Sequence, residues 1–125
     1  MEILLVGVGG SLGAIARYGL TGLVHKRLGD SFPFGTLAVN LIGCLAIGCV
    51  LYLVEERALL GAQARVFASV GLIGGFTTFS AFGYETLQLL RDGRFGAACL
   101  NVGCSVVLGL LAVWLGRALP RLAGI

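Results

Sequence analysis

Charge is scarce in this chain: nine Lys or Arg and six Asp or Glu make up 12% of 125 residues, against roughly 25% in an ordinary soluble domain. That scarcity, with 58% hydrophobic residues and a mean hydropathy of +0.99, excludes an ordinary water-soluble globule. Histidine occurs once, at His25 beside Lys26 and Arg27, without visible ligand partners. The cysteines, Cys44 with Cys49 and Cys99 with Cys104, stand five apart in each pair and form no C-x-x-C, so neither a metal site nor a disulfide framework is indicated. They read as small packing residues inside helices. The net charge of +3 comes from basic residues scattered at segment ends, which is a membrane flank and not a nucleic-acid surface. Glu2 to Gly13 imitates a strand and glycine turn, but the run is G-x-G-x-x-x-G and Asp30 follows a basic loop, so no dinucleotide site is expected.

What is present is apolar sequence in long runs. Short charged segments divide the chain into four predicted membrane helices, approximately 3–24, 32–54, 66–90 and 95–117, in a single four-helix transmembrane domain spanning 1–125. Each can cross roughly 30 Å of hydrocarbon at about 1.5 Å per residue. The runs are apolar on all sides and do not alternate, which favours helices over barrel strands. The first run lacks a basic leader and continues through Arg17 into more apolar sequence, so it is expected to be a retained helix. Glycines are spread through all four spans, and Gly9 with Gly13, Gly71 with Gly75, and Ser105 with Gly109 have the four-residue spacing that lets helices approach closely.

With both termini on one side, Arg57, Arg65, Arg117 and Arg121 fall on one face, and Lys26, Arg27, Arg91 and Arg94 on the other. The positive-inside bias therefore has almost nothing to act on. Either flanking details decide the orientation, or the protein inserts both ways and pairs as an antiparallel dimer.

The third span carries Gly74-Gly75-Phe76-Thr77-Thr78-Phe79-Ser80-Ala81-Phe82 in its middle. Glycines ease unwinding and hydroxyls can bond freed backbone groups, but unsatisfied backbone in hydrocarbon costs several kcal/mol per group. A break there points to an ion site. Within the spans the ionisable residues are Arg17 and, near a helix end, Glu85. Arg17 can snorkel, tie helices together or draw an anion toward a vestibule. Thr36 and Asn40 share one face of the second span, and Asn101 and Ser105 share one face of the fourth; each pair reads as interhelical glue or as the wall of a polar path. Phe79, Phe82 and Glu85 follow at three-residue steps. The rings fit buried packing, or an anion route lined by the positive ring edges, with Asn40, Ser80 and Ser105 as hydrogen-bond donors.

Three stretches, residues 9–18, residues 33–43 and the glycine-threonine-phenylalanine segment 74–82, together resemble the small fluoride channels, the Fluc family, also known as CrcB, over essentially the whole chain. The resemblance implies an all-α membrane protein of four transmembrane helices, the third broken mid-membrane, assembled as an antiparallel dual-topology homodimer. It implies two fluoride pores per dimer, with Phe79 and Phe82 presenting ring edges, Asn40 donating to fluoride, Thr36, Ser80 and Ser105 on or beside the polar lining, and Arg17 near the vestibule. It also implies one structural Na⁺ at the dimer interface, held by the backbone carbonyls of Gly74 and Thr77 from each chain. Ala81, Asn101 and Gly109 depart from the residues usual in that family, as does the bulky Phe76. The function implied is passive fluoride export protecting a cell from fluoride, in a prokaryotic inner membrane, with fluoride, the lipid bilayer and a second copy as partners and no enzyme activity. A small multidrug exporter is the rival, but it needs a membrane-embedded carboxylate that the first span lacks between Ile3 and Val24; a non-transporting assembly subunit is the other.

Overall fold

The computed structural model describes residues 1–125 and is entirely helical. Helix α1 spans Glu2–Leu28. Glu2 in its first turn and His25, Lys26 and Arg27 in its last complement the helix dipole. It stops at Gly29, whose φ of 78° is a conformation that side chains resist. Those basic residues extend α1 past the predicted end at 24, since charge at a helix end reaches water and need not stop the winding. Helix α2, Phe34–Glu55, starts directly after Pro33, which needs no amide partner there.

The third candidate span, Ala62–Arg91, is wound in pieces. We call residues 62–76 α3: an α-helical turn Ala62–Arg65, a π-helical stretch Val66–Ile73 and a last turn Gly74–Phe76. Thr77 (φ −81°, ψ 159°) and Thr78 (φ −150°, ψ 113°) are extended, and helix α4 resumes over Phe79–Arg91. Helix α5 runs Phe95–Leu122. Pro120 lies two residues from the end of α5, so the donor it withholds from the Gly116 carbonyl affects only the last turn. Counting α3 and α4 as one crossing, four helical segments are long and apolar enough to span a membrane.

Two glycine seams organise the packing. Gly9 and Gly13 of α1 lie against Gly71, Leu72, Gly75 and Phe76 of α3, so closely that a Cβ on Gly9 would come within 2.8 Å of the Phe67 carbonyl oxygen. On the other side Gly48 of α2 abuts the Val113 carbonyl of α5, and Gly116 of α5 abuts the Leu45 carbonyl of α2. Backbones meet where side chains are absent, which maximises dispersion contact between helices that gain nothing from leaving lipid. Only 16 of 125 residues are buried, and Ile3, Ile15, Leu110 and Trp114 are among the large apolar side chains facing outward. Such a surface suits hydrocarbon or a second protein copy, not water.

At one end, α2 and α5 are tied by charge. Arg117 reaches Glu55 at 3.1 Å and Glu56 at 2.5 Å, Arg121 reaches Glu56 at 2.6 Å, and the Arg121 guanidinium lies 5.4 Å from the Tyr52 ring centroid. Hydrogen bonds from Arg121 and Arg117 hold the Glu56 carboxyl below its usual pKa.

Candidate functional site

The interruption at Thr77 and Thr78 is stabilised by side chains that substitute for the helical ladder. In an unbroken α-helix the Thr78 amide would donate to the Gly74 carbonyl and the Ala81 amide to the Thr77 carbonyl, four residues back. Neither does. The Thr78 N–H donates to Asn40 Oδ1 at 2.8 Å, and the Ala81 N–H to Thr78 Oγ1 at 3.2 Å. Asn40 completes the exchange by donating from Nδ2 to the Thr78 carbonyl at 3.0 Å, so one amide side chain pairs both polar groups of residue 78, as a neighbouring strand would. The Gly75 carbonyl, which has also lost its helical partner, accepts from Arg17 Nε at 3.3 Å. Gly74 and Thr77 thus end α3 with carbonyl oxygens freed from the ladder, at the negative end of a half-helix.

A cavity of about 460 Å³ opens beside the interruption. Asn40, Gly74, Thr77, Phe79, Phe82 and Ser105 line it. The Phe79 and Phe82 rings are tilted 44° to each other with centroids 5.4 Å apart. Phe79 is 82% exposed in the single chain, which leaves its ring free to meet something other than its own fold. Ser105 contributes a hydroxyl that bonds no other protein group, whereas Asn101, one turn earlier, is buried and donates to Thr86 Oγ1 at 2.9 Å. The two residues read together in sequence therefore separate, Ser105 facing the cavity and Asn101 fastening α5 to α4.

Thr78 also lines a second cavity of about 330 Å³, shared with Arg17, Thr36, Ala81 and Glu85. Thr36 donates to Glu85 Oε1 at 2.8 Å, while Glu85 Oε2 is buried without a protein partner. Thr36 and Glu85 in turn line a third cavity of about 280 Å³ toward the α1–α2 loop, together with His25, Asp30, Asp92 and Arg94. Arg94 closes that loop by donating to the Ser31 carbonyl. The three cavities succeed one another through shared walls, with the interruption between the aromatic one and the charged ones.

Of the residues singled out in sequence, Asn40, Phe79, Phe82 and Ser105 meet in one cavity with Gly74 and Thr77. Thr36 and Arg17 stand in the adjoining one. Ser80 is exposed and lines neither, its Oγ lying 3.3 Å from Thr78 Oγ1. Sequence reasoning missed Thr78 as a side chain, although a threonine just before the amphipathic run Phe79–Arg91 is a recognisable N-cap signal. It also missed Cys44, which lines the aromatic cavity and carries no marker beyond its place in α2.

Four long apolar helices and an apolar exterior, with polar side chains converging on clefts between the helices, define a small multi-pass membrane protein. The chain belongs to the CrcB-like protein family (Camphor Resistance, CrcB), whose model matches residues 4–117. It is 50% identical over 116 residues to the fluoride-specific ion channel FluC of Opitutus terrae, covering 91% of this chain and 88% of that one. The protein of the same name from Acidobacterium capsulatum is 46% identical over 116 residues, 93% of each chain. That of Methylobacillus flagellatus is 45% identical over 122 residues, 97% of this chain and 95% of the relative. The family is one of ion channels, not enzymes.

Proposed function

We propose that this protein is a passive, fluoride-selective channel of the cell membrane. The observation that carries the reading is the meeting of Phe79, Phe82, Asn40 and Ser105 in one cavity of a membrane-spanning chain, in a protein about half identical to named fluoride channels. A small anion that sheds water there meets positive ring edges, an amide N–H and a hydroxyl, the donors needed to replace its hydration. Larger anions fit a narrow path poorly. Hydrogen fluoride enters a cell as the neutral acid and dissociates in the less acidic interior. The channel returns the trapped anion down its gradient, and no bond is made or broken.

The functional unit is an antiparallel dual-topology homodimer with two pores, each walled by both subunits. The four-against-four division of flanking basic residues supports it, since neither orientation is preferred, and so does the exposed Phe79 ring. The interruptions of the two chains meet at the middle of the dimer. There Gly74 and Thr77 offer one structural Na⁺ two carbonyls from each subunit. The donor set fits a hard monovalent cation: neutral oxygens at the negative end of a half-helix, their amide partners engaged by Asn40 and Thr78. When bound, the ion supplies a fixed positive charge between two anion paths. Arg17, with its Nε on the Gly75 carbonyl, braces the same turn and keeps a second positive charge beside the path.

Fluoride efflux from liposomes containing this protein alone tests the proposal, with chloride as comparator. Rapid fluoride release with little chloride release is expected. Absence of fluoride flux from the reconstituted dimer refutes the channel and leaves an assembly subunit. Proton-coupled uptake of an organic cation instead would indicate an exporter.

A further inference from the structure

We infer that Asn40 and Thr78 are positioning residues that hold the Gly74 and Thr77 carbonyls out of the helical ladder and so keep the cation site open. The inference rests on the reading that a cation binds there, and concerns what prevents the third span from closing into a continuous helix.

Helical closure is the ordinary fate of such a segment, because each peptide N–H in hydrocarbon must find an acceptor and the carbonyl four residues back is the nearest. Closure would return four amides, those of residues 78 to 81, to the carbonyls of residues 74 to 77, and side chains hold two of the four. The Thr78 N–H is taken by Asn40 Oδ1 at 2.8 Å, and the Ala81 N–H by Thr78 Oγ1 at 3.2 Å. Each capture releases one carbonyl, Gly74 in the first case and Thr77 in the second. Asn40 also donates to the Thr78 carbonyl at 3.0 Å, which fixes residue 78 in its extended conformation from both sides. Thr78 in that conformation is in turn the N-cap of α4. Most of the Asn40 amide is committed to this contact. Of its two N–H groups one goes to Thr78, and its oxygen is occupied as well, so a single N–H remains for the cavity.

Remove the acceptor at position 40 and the Thr78 N–H is left unpaired in a low-dielectric interior or returns to the Gly74 carbonyl. Remove the hydroxyl at position 78 and the Ala81 N–H has the same choice with the Thr77 carbonyl. Either return withdraws a cation ligand without altering any ligand residue.

The test compares melting temperatures of the full-length protein purified throughout in Na⁺ or in N-methylglucamine, for wild type, Asn40→Leu, Asn40→Asp, Thr78→Val and Thr78→Ser. Wild type is expected to melt higher in Na⁺. Asn40→Leu and Thr78→Val are expected to lose that increment. Asn40→Asp and Thr78→Ser, which retain the acceptor, are expected to keep it even where flux falls. A merely structural role lowers melting in both salts and leaves the increment intact, so an undiminished increment in Asn40→Leu and Thr78→Val overturns the inference while the cation site stands. If Asn40→Leu does not fold, the Thr78→Val and Thr78→Ser pair decides by the same criterion. Absence of any Na⁺ increment in wild type overturns both the cation reading and this inference; fluoride efflux measured on the same wild-type preparation then reports separately on the channel.

Discussion

Replacing Gly13 with alanine tests whether the α1–α3 seam sets the geometry of the interruption. A Cβ at that position falls on the Leu72 carbonyl oxygen and comes within 2.7 Å of the Phe76 nitrogen and 3.0 Å of the Gly75 carbonyl carbon. All three neighbours are backbone, so no flexible side chain can yield, and α1 must back away from α3. Overpacking of this kind costs about 1–3 kcal/mol. Gly7→Ala supplies the reference, because nothing lies within 4 Å of its new methyl; both variants gain the same helix propensity, about 1 kcal/mol, which cancels between them. The expected difference in stability is therefore about 1–3 kcal/mol, read as a lower melting temperature for Gly13→Ala in one detergent. Gly116→Ala is the functional control. Its Cβ meets the Leu45 carbonyl carbon at 2.9 Å and the Cys49 nitrogen at 3.1 Å, a comparable clash on the α2–α5 seam. Gly13 touches the turn that Arg17 braces at Gly75, whereas Gly116 does not. Flux per folded dimer is expected to fall in Gly13→Ala and to persist in Gly116→Ala. Equal melting of Gly13→Ala and Gly7→Ala refutes the steric argument, and equal loss of flux in Gly13→Ala and Gly116→Ala refutes its link to the interruption.

Phe79→Ile and Phe82→Ile keep apolar bulk but remove the ring edge; each is expected to slow fluoride efflux by about tenfold or more, ~1.4 kcal/mol of barrier, with the dimer intact on size exclusion. Ser105→Ala removes a hydroxyl without a protein partner and is expected to reduce flux while leaving melting unchanged. The Thr36–Glu85 hydrogen bond is expected to appear as a coupling of roughly 1–3 kcal/mol in a double-mutant cycle of Thr36→Val and Glu85→Ala, read from denaturation in detergent. Because the arginines hold the folded Glu56 pKa below the unfolded value of about 4.3, its contribution to stability is complete above that pH and is lost as pH falls through the lower folded value. The melting difference between wild type and Glu56→Gln is accordingly expected to shrink on acidification below about pH 4 and to weaken in high salt.

The spans were legible because a membrane helix announces itself by composition over some twenty residues, and a single sequence suffices for that. Their ends were less so: α1 runs past its predicted limit through His25, Lys26 and Arg27, and α5 continues beyond its predicted end at Arg117 to Leu122. Basic residues divide segments on a hydropathy plot, yet their long stems let a helix continue into the interface. The glycine spacings of α1 and α3 predicted close contact, and those helices do meet at Gly9, Gly13, Gly71 and Gly75. The seam between Gly48 and Gly116 was not found, because spacing within one helix does not tell which other helix faces it. The π-helical winding of Val66–Ile73 has no residue signature at all. Arg17 stood open between three uses in sequence, and the structure gives it a definite contact, the Gly75 carbonyl, fifty-eight positions away in the chain.

Asn40 is where sequence and structure differ most in consequence. Its identity, place in the second span and likeness to a family pore residue all point to an amide donating to the ion. The structure gives Oδ1 and one N–H of that amide to Thr78, thirty-eight positions along the chain, a pairing that exists only once α2 meets the extended segment. With one N–H left, Asn40 cannot by itself stand in for much of a fluoride ion's hydration. In the proposed function the balance falls on the Phe79 and Phe82 ring edges and on Ser105, whose hydroxyl is unengaged. Selectivity then depends on a cavity held to shape, because weak ring-edge donors replace water only when several stand at contact distance together. The shape comes from the interruption, and Asn40 is one of the residues that hold it. The same side chain thereby serves both ions of the proposal: with its oxygen it frees a carbonyl for the cation, and with its remaining N–H it faces the anion.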